Sequence, residues 1–274
     1  MVESSIDEAA TTELARRIRV HTVRMTARAN ASHVGSGLSM ADILAVLYGG
    51  VMTIDPAHPD TSDRDRFVLS KGHGAAAFYA VLAEVGFFPA AWLERYGDDH
   101  QPLAGHATHH GVPGVEVSTG SLGHGLPIAL GMAIVSDSKG AGARTFALLS
   151  DGELNEGSTW EAILLAGHRQ VSNLTVIVDC NGIQSFGTTR DVLDMSPLAD
   201  KWRAARWQIV EIDGHDHGAL IAALGESGKG PRVVIANTIK GKGISFMEDR
   251  LEWHYRAPTG DLLDKALAEL GEVL

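Results

Sequence analysis

The two stretches that decide the fold are TFALLSDGELNEG at residues 145–157 and LTVIVDCNGIQ at residues 174–184. Each begins with a short aliphatic run, Thr145–Leu149 or Leu174–Val178, of the kind that is buried on both faces of a parallel sheet. Each run is followed at once by polar side chains and glycine. The pattern predicts two strands whose carboxyl ends carry functional loops, because ligands of open α/β sheets collect at that edge.

Two further aliphatic runs, Gln208–Ile212 and Arg232–Ala236, predict two more strands of the same kind. Stretches with helical character, Trp160–Ala166 and Ala219–Leu224, separate the members of each pair. Strands that alternate with helices are typical of parallel sheets. The sequence therefore predicts an α/β fold with an open, mostly parallel sheet flanked by helices.

Apolar residues at helical spacing predict a first helix from Thr12 to Ala29 and a second from Ser39 to Leu47. In the second helix, Ser39 is a candidate N-cap and Asp42 occupies the third helical position of a capping pattern. The stretch Asp261–Leu270 predicts a short amphipathic helix that ends before a glycine.

The composition of the 274-residue chain bounds its class. With 45% apolar residues, the chain can bury roughly 70–75% of its unfolded surface, as a globular protein of this size does. No stretch rich in Pro and Ser marks a linker. We therefore expect one domain over residues 1–274, with a C-terminal extension from about residue 256.

The charge and the cysteine count exclude several classes of function. A formal net charge of −11 argues against a sequence-independent grip on nucleic acid or on an anionic membrane. Cys180 is the single cysteine, which excludes a disulfide framework and a thiolate zinc site. The first residues lack the layout of a signal peptide, and no apolar run approaches the roughly 20 residues needed to span a bilayer. We expect a cytoplasmic protein.

The polar residues after the first two predicted strands form a candidate metal site. Asp151 follows one strand and Asn181 follows the other, so neighbouring strands would bring a carboxylate and an amide oxygen together. The main-chain carbonyl of Ile183 can join them, and three such oxygens suit Mg²⁺ or Ca²⁺. The alternative is that Asp-Gly and Asn-Gly are simply turn dipeptides after strands.

Histidines stand beside glycine or at turns in several segments, including His33, His73, His106 and His215. A histidine in such a loop can meet a ligand, and its near-neutral pKa suits proton transfer. For each of them taken alone, an ordinary capping or solvent-facing residue is the favoured interpretation. A zinc site built from His106, His109 and His110 is a minor hypothesis, because this stretch is a predicted loop rather than a rigid element.

The order of these segments resembles the transketolase family along nearly the whole chain. The most specific stretch is VPGVEVSTGSLGHG at 112–125, and DRFVLSKGHG at 65–74 closely matches a second loop of the family. Further similar segments are ASHVG at 31–35, LAGH at 103–106, DGHD at 213–216, KGKG at 240–243 and EWHYRAP at 252–258. The Asp-Gly and Asn elements after the two strands resemble the family's thiamine diphosphate motif.

The resemblance implies the thiamine-diphosphate-binding fold, or PP domain, and a set of site residues. Those expected to be catalytic are His33, His106 and His254. Those expected to bind the cofactor are His73, Gly120, Ser121, Leu122, Gly152, Glu156, Asn181, His254 and Lys240. The metal ligands expected are Asp151, Asn181 and Ile183. For Lys240, a solvated turn is the alternative to a role at the phosphates.

Four positions depart from the family pattern. Ser150 stands where glycine is usual, and Gly182 stands where a second asparagine is usual. Ser121 replaces the usual proline and His124 the usual glutamine. The last two positions touch the pocket wall, so they concern substrate preference more than cofactor binding.

The resemblance also implies a partner, because the full family continues into a pyrimidine-binding domain that supplies a catalytic glutamate. The chain resembles the N-terminal subunit of a split transketolase, with two copies of each chain and sugar phosphates as substrates. With its C-terminal subunit it would transfer two-carbon ketol units from a ketose to an aldose. The alternatives are a fragment of a longer enzyme, a deoxyxylulose-phosphate-synthase relative, a ketol transferase of a specialised pathway, the α subunit of a 2-oxo acid dehydrogenase, and a catalytically silent homologue.

Overall fold

A computed structural model of the chain describes residues 6–140, 142–226 and 228–272. Its strands are β1 (Arg66–Leu69), β2 (Thr145–Ser150), β3 (Leu174–Cys180), the short antiparallel pair β4 (Ile183–Gln184) and β5 (Gly187–Thr188), β6 (Gln208–Asp213) and β7 (Arg232–Asn237). Five of them form a central sheet in the order β1-β2-β3-β7-β6, in which every neighbouring pair is parallel. The predicted α/β fold with a mostly parallel sheet is confirmed.

Helices cover both faces of this sheet. They are α1 (Glu8–Ala29), α2 (Val34–Ser39), α3 (Ala41–Val46), α4 (Ala75–Glu84), α5 (Gly125–Ser138), α6 (Gly157–Arg169), α7 (Thr189–Leu193), α8 (Leu198–Ala204), α9 (His217–Gly225) and α10 (Asp261–Glu269). A π-helical turn at Leu47–Val51 continues α3, and short 3₁₀ helices lie at Gly72–Gly74, Ala90–Arg95, Gly152–Asn155 and Leu251–His254. Among the described residues, no helix combines the length and the apolar character needed to cross a membrane.

Alternating side chains of the central strands fill two cores, one on each face of the sheet. On β1, Phe67 and Leu69 pack into the core formed with α1, α3 and α4, whereas Val68 packs into the core formed with α5, α6 and α8. The same alternation separates Leu148 from Leu149 on β2. Because both faces are covered, these strands consist of nearly continuous apolar runs, which is why they are visible in the sequence.

The prediction that a second helix begins at Ser39, with Ser39 as its N-cap, is wrong. The helix α2 ends at Ser39, and α3 begins at Ala41. The Ser39 hydroxyl lies 3.2 Å from the Ser36 carbonyl oxygen and 2.6 Å from a carboxylate oxygen of Asp179, so it caps no helix start. Asp42 is buried and pairs with Arg19 instead of capping. Both side chains are engaged in tertiary contacts that sequence spacing cannot reveal.

Other element boundaries differ from the prediction, and some elements were not predicted. The first helix begins at Glu8 because Asp7 caps it by accepting a hydrogen bond from the Ala9 amide. The strand β1 has only four residues and begins with Arg66, so its aliphatic signal is short. The helix α5 contains Pro127 in its first turn, where proline is tolerated, and glycines that weaken the helical signal.

Glycine at position 167, in the last turns of α6, is required by the close approach of a neighbouring segment. A Cβ on Gly167 would overlap with the carbonyl oxygen of Ala205. We expect Gly167→Ala to lower the free energy of unfolding, measured by urea denaturation, by about 1–3 kcal/mol, because the backbone around Ala205 would have to move. The matched control is Gly131→Ala on the exposed face of α5, where a Cβ meets no atom within 4 Å. It should be neutral or stabilise by up to about 1 kcal/mol, and equal effects of the two variants would refute the packing argument.

Candidate active site

A cleft of about 200 Å³ opens at the carboxyl ends of the central strands. The loop after β1 brings His73 to it, the loops after β2 and β3 bring Asp151 and Asn181, and the segment after β7 brings Lys240. Its lining residues are His33, Ser36, His73, His106, Gly120, Leu122, Ser150, Asp151, Gly152, Asn181, Ile183, Gln184, Ser185, Lys240 and His254. The cleft therefore lies at the edge where the sequence pattern predicted it.

Two of the predicted cofactor residues do not line this cleft. Ser121 is exposed, and its hydroxyl lies 3.3 Å from Nδ1 of His124. Glu156 is exposed at the N-terminal end of α6. The remaining predicted site residues all face the cleft, so the structure brings most of the set together and leaves these two outside it.

The predicted metal ligands lie on adjacent loops. Asp151 accepts hydrogen bonds from the backbone amides of Gly152, at 2.8 Å, and Gly182, at 2.7 Å. Oδ1 of Asn181 accepts from the Ile183 amide at 3.2 Å, which turns the amide oxygen towards the same loop. Because β2 and β3 pair in parallel, with Ser150 beside Asp179, the condition that the two strands are neighbours is met.

Asp151 carries a perturbed carboxyl group. Burial and the negative charge of Asp179 raise the pKa of Asp151 to about 6, although its two backbone hydrogen bonds act in the opposite direction. The positive charge of Lys71 also acts to lower this pKa, but its effect is smaller than that of burial and Asp179. The site would gain from a divalent cation, because a cation favours the ionised form.

A buried ion pair beneath the cleft was not predicted. Nζ of Lys71 lies 2.5 Å from Oδ2 of Asp179, and both side chains are 0% exposed. Asp179 also accepts hydrogen bonds from Ser39 and Thr238, and Nδ2 of Asn181 lies 3.3 Å from its Oδ2. The pair thereby orients a predicted metal ligand. In the sequence, Lys71 is simply a lysine beside Gly-His, and no local signal indicates its burial.

Four histidines that line the cleft form a cluster. The ring centroid of His33 lies 5.2 Å from that of His73, 5.7 Å from that of His106 and 4.9 Å from that of His254. The rings of His73 and His254 are 6.0 Å apart. Residues from four separate segments therefore meet here. Of the histidines singled out in the glycine-rich loops, His33, His73 and His106 belong to this cluster and His215 does not, whereas His254 was expected only from the family resemblance.

The surroundings keep three of these rings neutral. Burial, helped by nearby positive charges such as Lys240, lowers the pKa of His33 to about 4 and that of His254 to about 3. Burial and the charge of Lys71 lower the pKa of His73 well below its usual range. Neutral imidazoles can both donate and accept hydrogen bonds, so the cluster can bind polar groups without charge repulsion.

The contacts of Lys240 fix the tautomer of His254. Nζ of Lys240 donates to the carbonyl oxygen of Ile183 at 2.9 Å and lies 3.1 Å from Nδ1 of His254. Because an ammonium only donates, Nδ1 accepts and the proton of the neutral His254 ring sits on Nε2. Burial and the charge of Lys71 lower the pKa of Lys240 to about 8. The lysine is 1% exposed, so the solvated-turn alternative is wrong.

Close packing of backbones holds the histidine loops. A Cβ on Gly72 would lie 2.5 Å from the carbonyl carbon of Thr119, so glycine is needed where these loops cross. Thr119 donates from its hydroxyl to the Leu69 carbonyl at 2.6 Å and from its amide to the Ala107 carbonyl at 2.9 Å. These contacts tie the loops of His73 and His106 to the end of β1.

A second buried carboxyl group, Glu153, anchors the loop that contains Gly120. Its Oε1 accepts from the Ser70 hydroxyl and, at 2.9 Å, from the Gly123 amide. Its Oε2 is buried and has no hydrogen-bond partner among the described residues, and burial raises the pKa of Glu153. Sequence reasoning passed over Glu153, since an acidic residue two positions after Asp151 gives no signal of burial.

The zinc hypothesis gains no support from the structure. His106 faces the cleft, whereas Nδ1 of His109 lies 2.8 Å from the Ser118 hydroxyl and the ring centroids of His109 and His110 are 4.1 Å apart. Within residues 6–140, 142–226 and 228–272, no group of three or more His, Cys, Asp or Glu residues is arranged to hold a metal ion.

Comparison with known proteins agrees with this geometry. Residues 10–271 match the family described as the thiamine diphosphate binding domain of transketolase. The chain is 44% identical to one of the subunits of an apulose-4-phosphate transketolase from Actinobacillus succinogenes, over 93% of this chain and 94% of the relative. It is 38% identical to a 6-deoxy-6-sulfo-D-fructose transketolase subunit of a Clostridium species, over 92% and 93% of the two chains.

A comparison with solved structures also finds similarity to transketolase. Transketolase from Campylobacter jejuni superposes with a TM-score of 0.90 at 28% identity, and the match covers 96% of this chain and 43% of that one. Fold and site thus define a thiamine-diphosphate-binding protein of the transferase class. The chain belongs to the transketolase family, and it spans about two fifths of the solved transketolase.

The lowered pKa of His33 predicts a pH dependence of stability. Unfolded histidine takes up a proton near pH 6.5, but folded His33 does so only near pH 4, so stability present above about pH 6.5 is lost as the pH falls towards 4. In His33→Asn this loss should be absent, and Asn tolerates the left-handed backbone of this position (φ 75°). The melting temperature of the variant should therefore fall less than that of the wild type between pH 7 and pH 5.

The control is His100→Asn, which replaces an exposed histidine that is also left-handed (φ 61°). The melting temperature of this variant should change with pH in the same way as that of the wild type. Identical pH profiles for all three proteins would show that His33 is not held neutral by its surroundings.

Proposed function

We propose that this chain is the diphosphate-binding subunit of a two-chain transketolase, which moves two-carbon ketol units from a ketose to an aldose. The observation that carries the proposal is the convergence of Asp151, Asn181, Ile183 and Lys240 with the histidine cluster in one cleft. Oxygen ligands for a hard cation, a lysine and neutral imidazoles together suit a metal-bound diphosphate.

The donor set fits Mg²⁺, with Ca²⁺ as the other hard cation of this kind. Asp151 would supply a carboxylate oxygen, Asn181 its amide oxygen and Ile183 its carbonyl oxygen. The last two oxygens each accept one hydrogen bond in the structure, from the Ile183 amide and from Lys240, and an oxygen with two lone pairs can take a second partner. The raised pKa of Asp151 supports a cation here, since it indicates that burial and Asp179 outweigh the hydrogen bonds and the Lys71 charge that favour the ionised carboxylate.

Glycines make room for the cofactor beside these ligands. Gly120 has φ 147°, and a Cβ on it would lie 2.9 Å from Cδ2 of His106. Gly182 has φ 74° and donates its amide to Asp151, so the glycine that replaces the family's second asparagine suits a left-handed turn. At Gly120, backbone without a side chain lines the cleft, which allows a ligand to approach closely.

When bound, thiamine diphosphate supplies a nucleophilic carbon and an electron sink for cleavage of the bond next to a ketone. Lys240 and His73 would donate to diphosphate oxygens. His254, whose proton sits on Nε2, would donate a hydrogen bond on the substrate side of the cleft. His33 and His106 would hold substrate hydroxyl groups and move protons to or from them.

The metal assignment predicts the effect of Asp151→Ala. The variant should weaken Mg²⁺-dependent binding of thiamine diphosphate by more than about 10-fold in calorimetry, because one cation ligand is lost. The control is Asp137→Ala, which removes an exposed carboxylate near the end of α5 and should leave binding unchanged. Equal affinity in the wild type and in Asp151→Ala would remove this residue from the metal site.

A partner chain is part of the proposal. Among the described residues, Asp151 is the one carboxyl group that lines the cleft, and it is assigned to the metal. A second carboxylate, needed to activate the pyrimidine ring, would have to come from another chain. The relatives matched over most of their length are named as subunits, which supports an assembly with a pyrimidine-domain subunit, two copies of each.

The surface of the chain is compatible with such a partner. Exposed apolar side chains occur on α5, α6 and α7, and they include Ile128, Val135, Leu164, Leu165, Val192 and Leu193. Exposed apolar residues that belong to neighbouring helices are typical of protein interfaces. The exposed Ser121 and Glu156 are proposed to meet the cofactor or the partner in the assembled enzyme.

The substrates are proposed from the relatives. Two of them are named for apulose 4-phosphate and 6-deoxy-6-sulfo-D-fructose, so ketoses with a phosphate or sulfonate group are the first donors to test. A cytoplasmic location completes the proposal, since sugar phosphates are found there and the single Cys180 is a free thiol.

The chain alone should have no ketol transferase activity. The experiment mixes the full chain with Mg²⁺, thiamine diphosphate, a ketose donor and an aldose acceptor, with and without a pyrimidine-domain subunit. We expect at least a roughly 10²-fold increase in transfer on addition of the partner, the order of magnitude that an acid–base group contributes. Full transfer by the lone chain would refute the two-chain proposal. Cofactor binding in a confirmed complex that transfers no donor would instead indicate a silent homologue.

A further inference from the structure

A buried polar cluster lies behind the cleft, outside the residues assigned above. Asp42 is at its centre and accepts two hydrogen bonds from the Arg19 guanidinium, at 3.0 and 2.5 Å. Nδ1 of His215 lies 2.6 Å from Oδ2 of Asp42, and Nε2 of His217 lies 3.1 Å from Oδ1. The cluster joins α1 and α3 to the start of α9.

The charge on Asp42 is well compensated. Burial alone would raise the pKa of Asp42, but the hydrogen bonds from His215 and His217 and the charge of Arg19 lower it far below its usual range. A permanently ionised carboxylate is therefore a fixed acceptor for both imidazoles. Arg19 occupies both carboxylate oxygens, so the cluster leaves no room for a metal ion.

His215 also has a contact outside the cluster. Its Nε2 lies 2.9 Å from the backbone amide nitrogen of Ile239 and accepts that hydrogen bond. Because the amide is a donor, Nε2 carries no proton, and the ring proton on Nδ1 is donated to Asp42. His217 instead uses its other nitrogen on the Thr11 hydroxyl, at 2.8 Å, within the same cluster.

The Ile239 amide belongs to the segment that delivers Lys240 to the cleft. The Thr238 amide donates to the Cys180 carbonyl at 3.1 Å, and the Gly241 amide donates to the Gly35 carbonyl at 3.0 Å. Between these two backbone contacts, the amide of Ile239 is held by the side chain of His215. The next residue, Lys240, reaches Ile183 and His254.

We propose that His215 is a positioning residue, which couples the buried Asp42 carboxylate to the Ile239 backbone and so fixes Lys240 for the cofactor. The inference rests on the proposed role of Lys240 at the diphosphate. The coupling runs through the His215 imidazole, in which Nδ1 donates to Asp42 and Nε2 accepts from the Ile239 amide. Without the Nε2 contact, the backbone at Ile239 would be held less firmly. The Lys240 ammonium would then keep its contact with the Ile183 carbonyl less well.

Three variants separate this role from a general contribution to packing. His215→Asn retains a donor near the position of Nδ1 for Asp42, but it cannot reach the Ile239 amide. His215→Gln places an amide oxygen near the position of Nε2 and can accept from Ile239. His217→Gln is the matched control, because it keeps an amide near the position of Nε2 for Asp42 and loses the Nδ1 contact with Thr11, without touching the 238–241 segment.

The first measurement is amide hydrogen exchange of the full chain without cofactor, followed in peptides that cover residues 237–243. In His215→Asn, exchange at Ile239 should be about tenfold faster, as expected for the loss of one hydrogen bond of ordinary strength. In His215→Gln and in His217→Gln, exchange should stay within about threefold of the wild type. Should His215→Asn not fold, His215→Ser takes its place, since it also lacks an acceptor that reaches Ile239.

The second measurement is calorimetric affinity for thiamine diphosphate with Mg²⁺. His215→Asn should weaken binding by about three- to tenfold, whereas His217→Gln should not weaken it even if its melting temperature falls. Unchanged exchange at Ile239 in His215→Asn, or equal effects of His215→Asn and His217→Gln, overturns the inference alone. Absence of cofactor binding by the wild type, even with a pyrimidine-domain subunit, overturns the proposed function and with it the cofactor part of this inference.

Discussion

The ammonium of Lys71 and the carboxylate of Asp179 meet at the carboxyl edge of the sheet, and neither is exposed to water. Such a pair is expensive to bury unless its remaining hydrogen-bonding capacity is satisfied. Here Asp179 receives further hydrogen bonds from Ser39 and Thr238, so α2 and the segment after β7 are joined to the end of β3. The position of Asn181 beside Oδ2 of Asp179 follows from the same contact. The floor of the cleft is therefore set by one ion pair.

The ion pair also contributes to the pKa shifts of the groups above it. The negative Asp179 adds to burial in raising the pKa of Asp151, and the positive Lys71 adds to burial in lowering the pKa values of His73 and Lys240. The carboxyl group of the cleft thus has a raised pKa, three of its imidazoles, those of His33, His73 and His254, are neutral, and its lysine lies close to another cation. The proposed divalent metal would add positive charge for Asp151, and the proposed diphosphate would add negative charge for Lys240.

Much of this arrangement was accessible from the sequence because buried parallel strands leave aliphatic runs that point to the loops after them. That logic predicted Asp151 and Asn181 correctly at the cleft, whereas the family resemblance was needed for Lys240 and Leu122. The burial of charged side chains could not be predicted from the sequence. Nothing in the residues next to Lys71, Asp42 and Glu153 indicates that these side chains are buried. Their environment is created by segments far away in the chain, such as Asp179 for Lys71 and His215 for Asp42. The wrong cap at Ser39 has the same cause.

The segment that carries Lys240 lies between two buried carboxylates, each neutralised by its own cation. Thr238 donates its hydroxyl to Asp179, which is paired with Lys71, and the Ile239 amide reaches Asp42, which is paired with Arg19, through His215. Both anchors act on residues directly before Lys240, one through a side chain and one through the backbone. A lysine that is 1% exposed and has a flexible stem would gain little precision from packing alone. Two fixed acceptors on consecutive residues define where its backbone lies, and the Ile183 carbonyl and His254 then define where its ammonium lies.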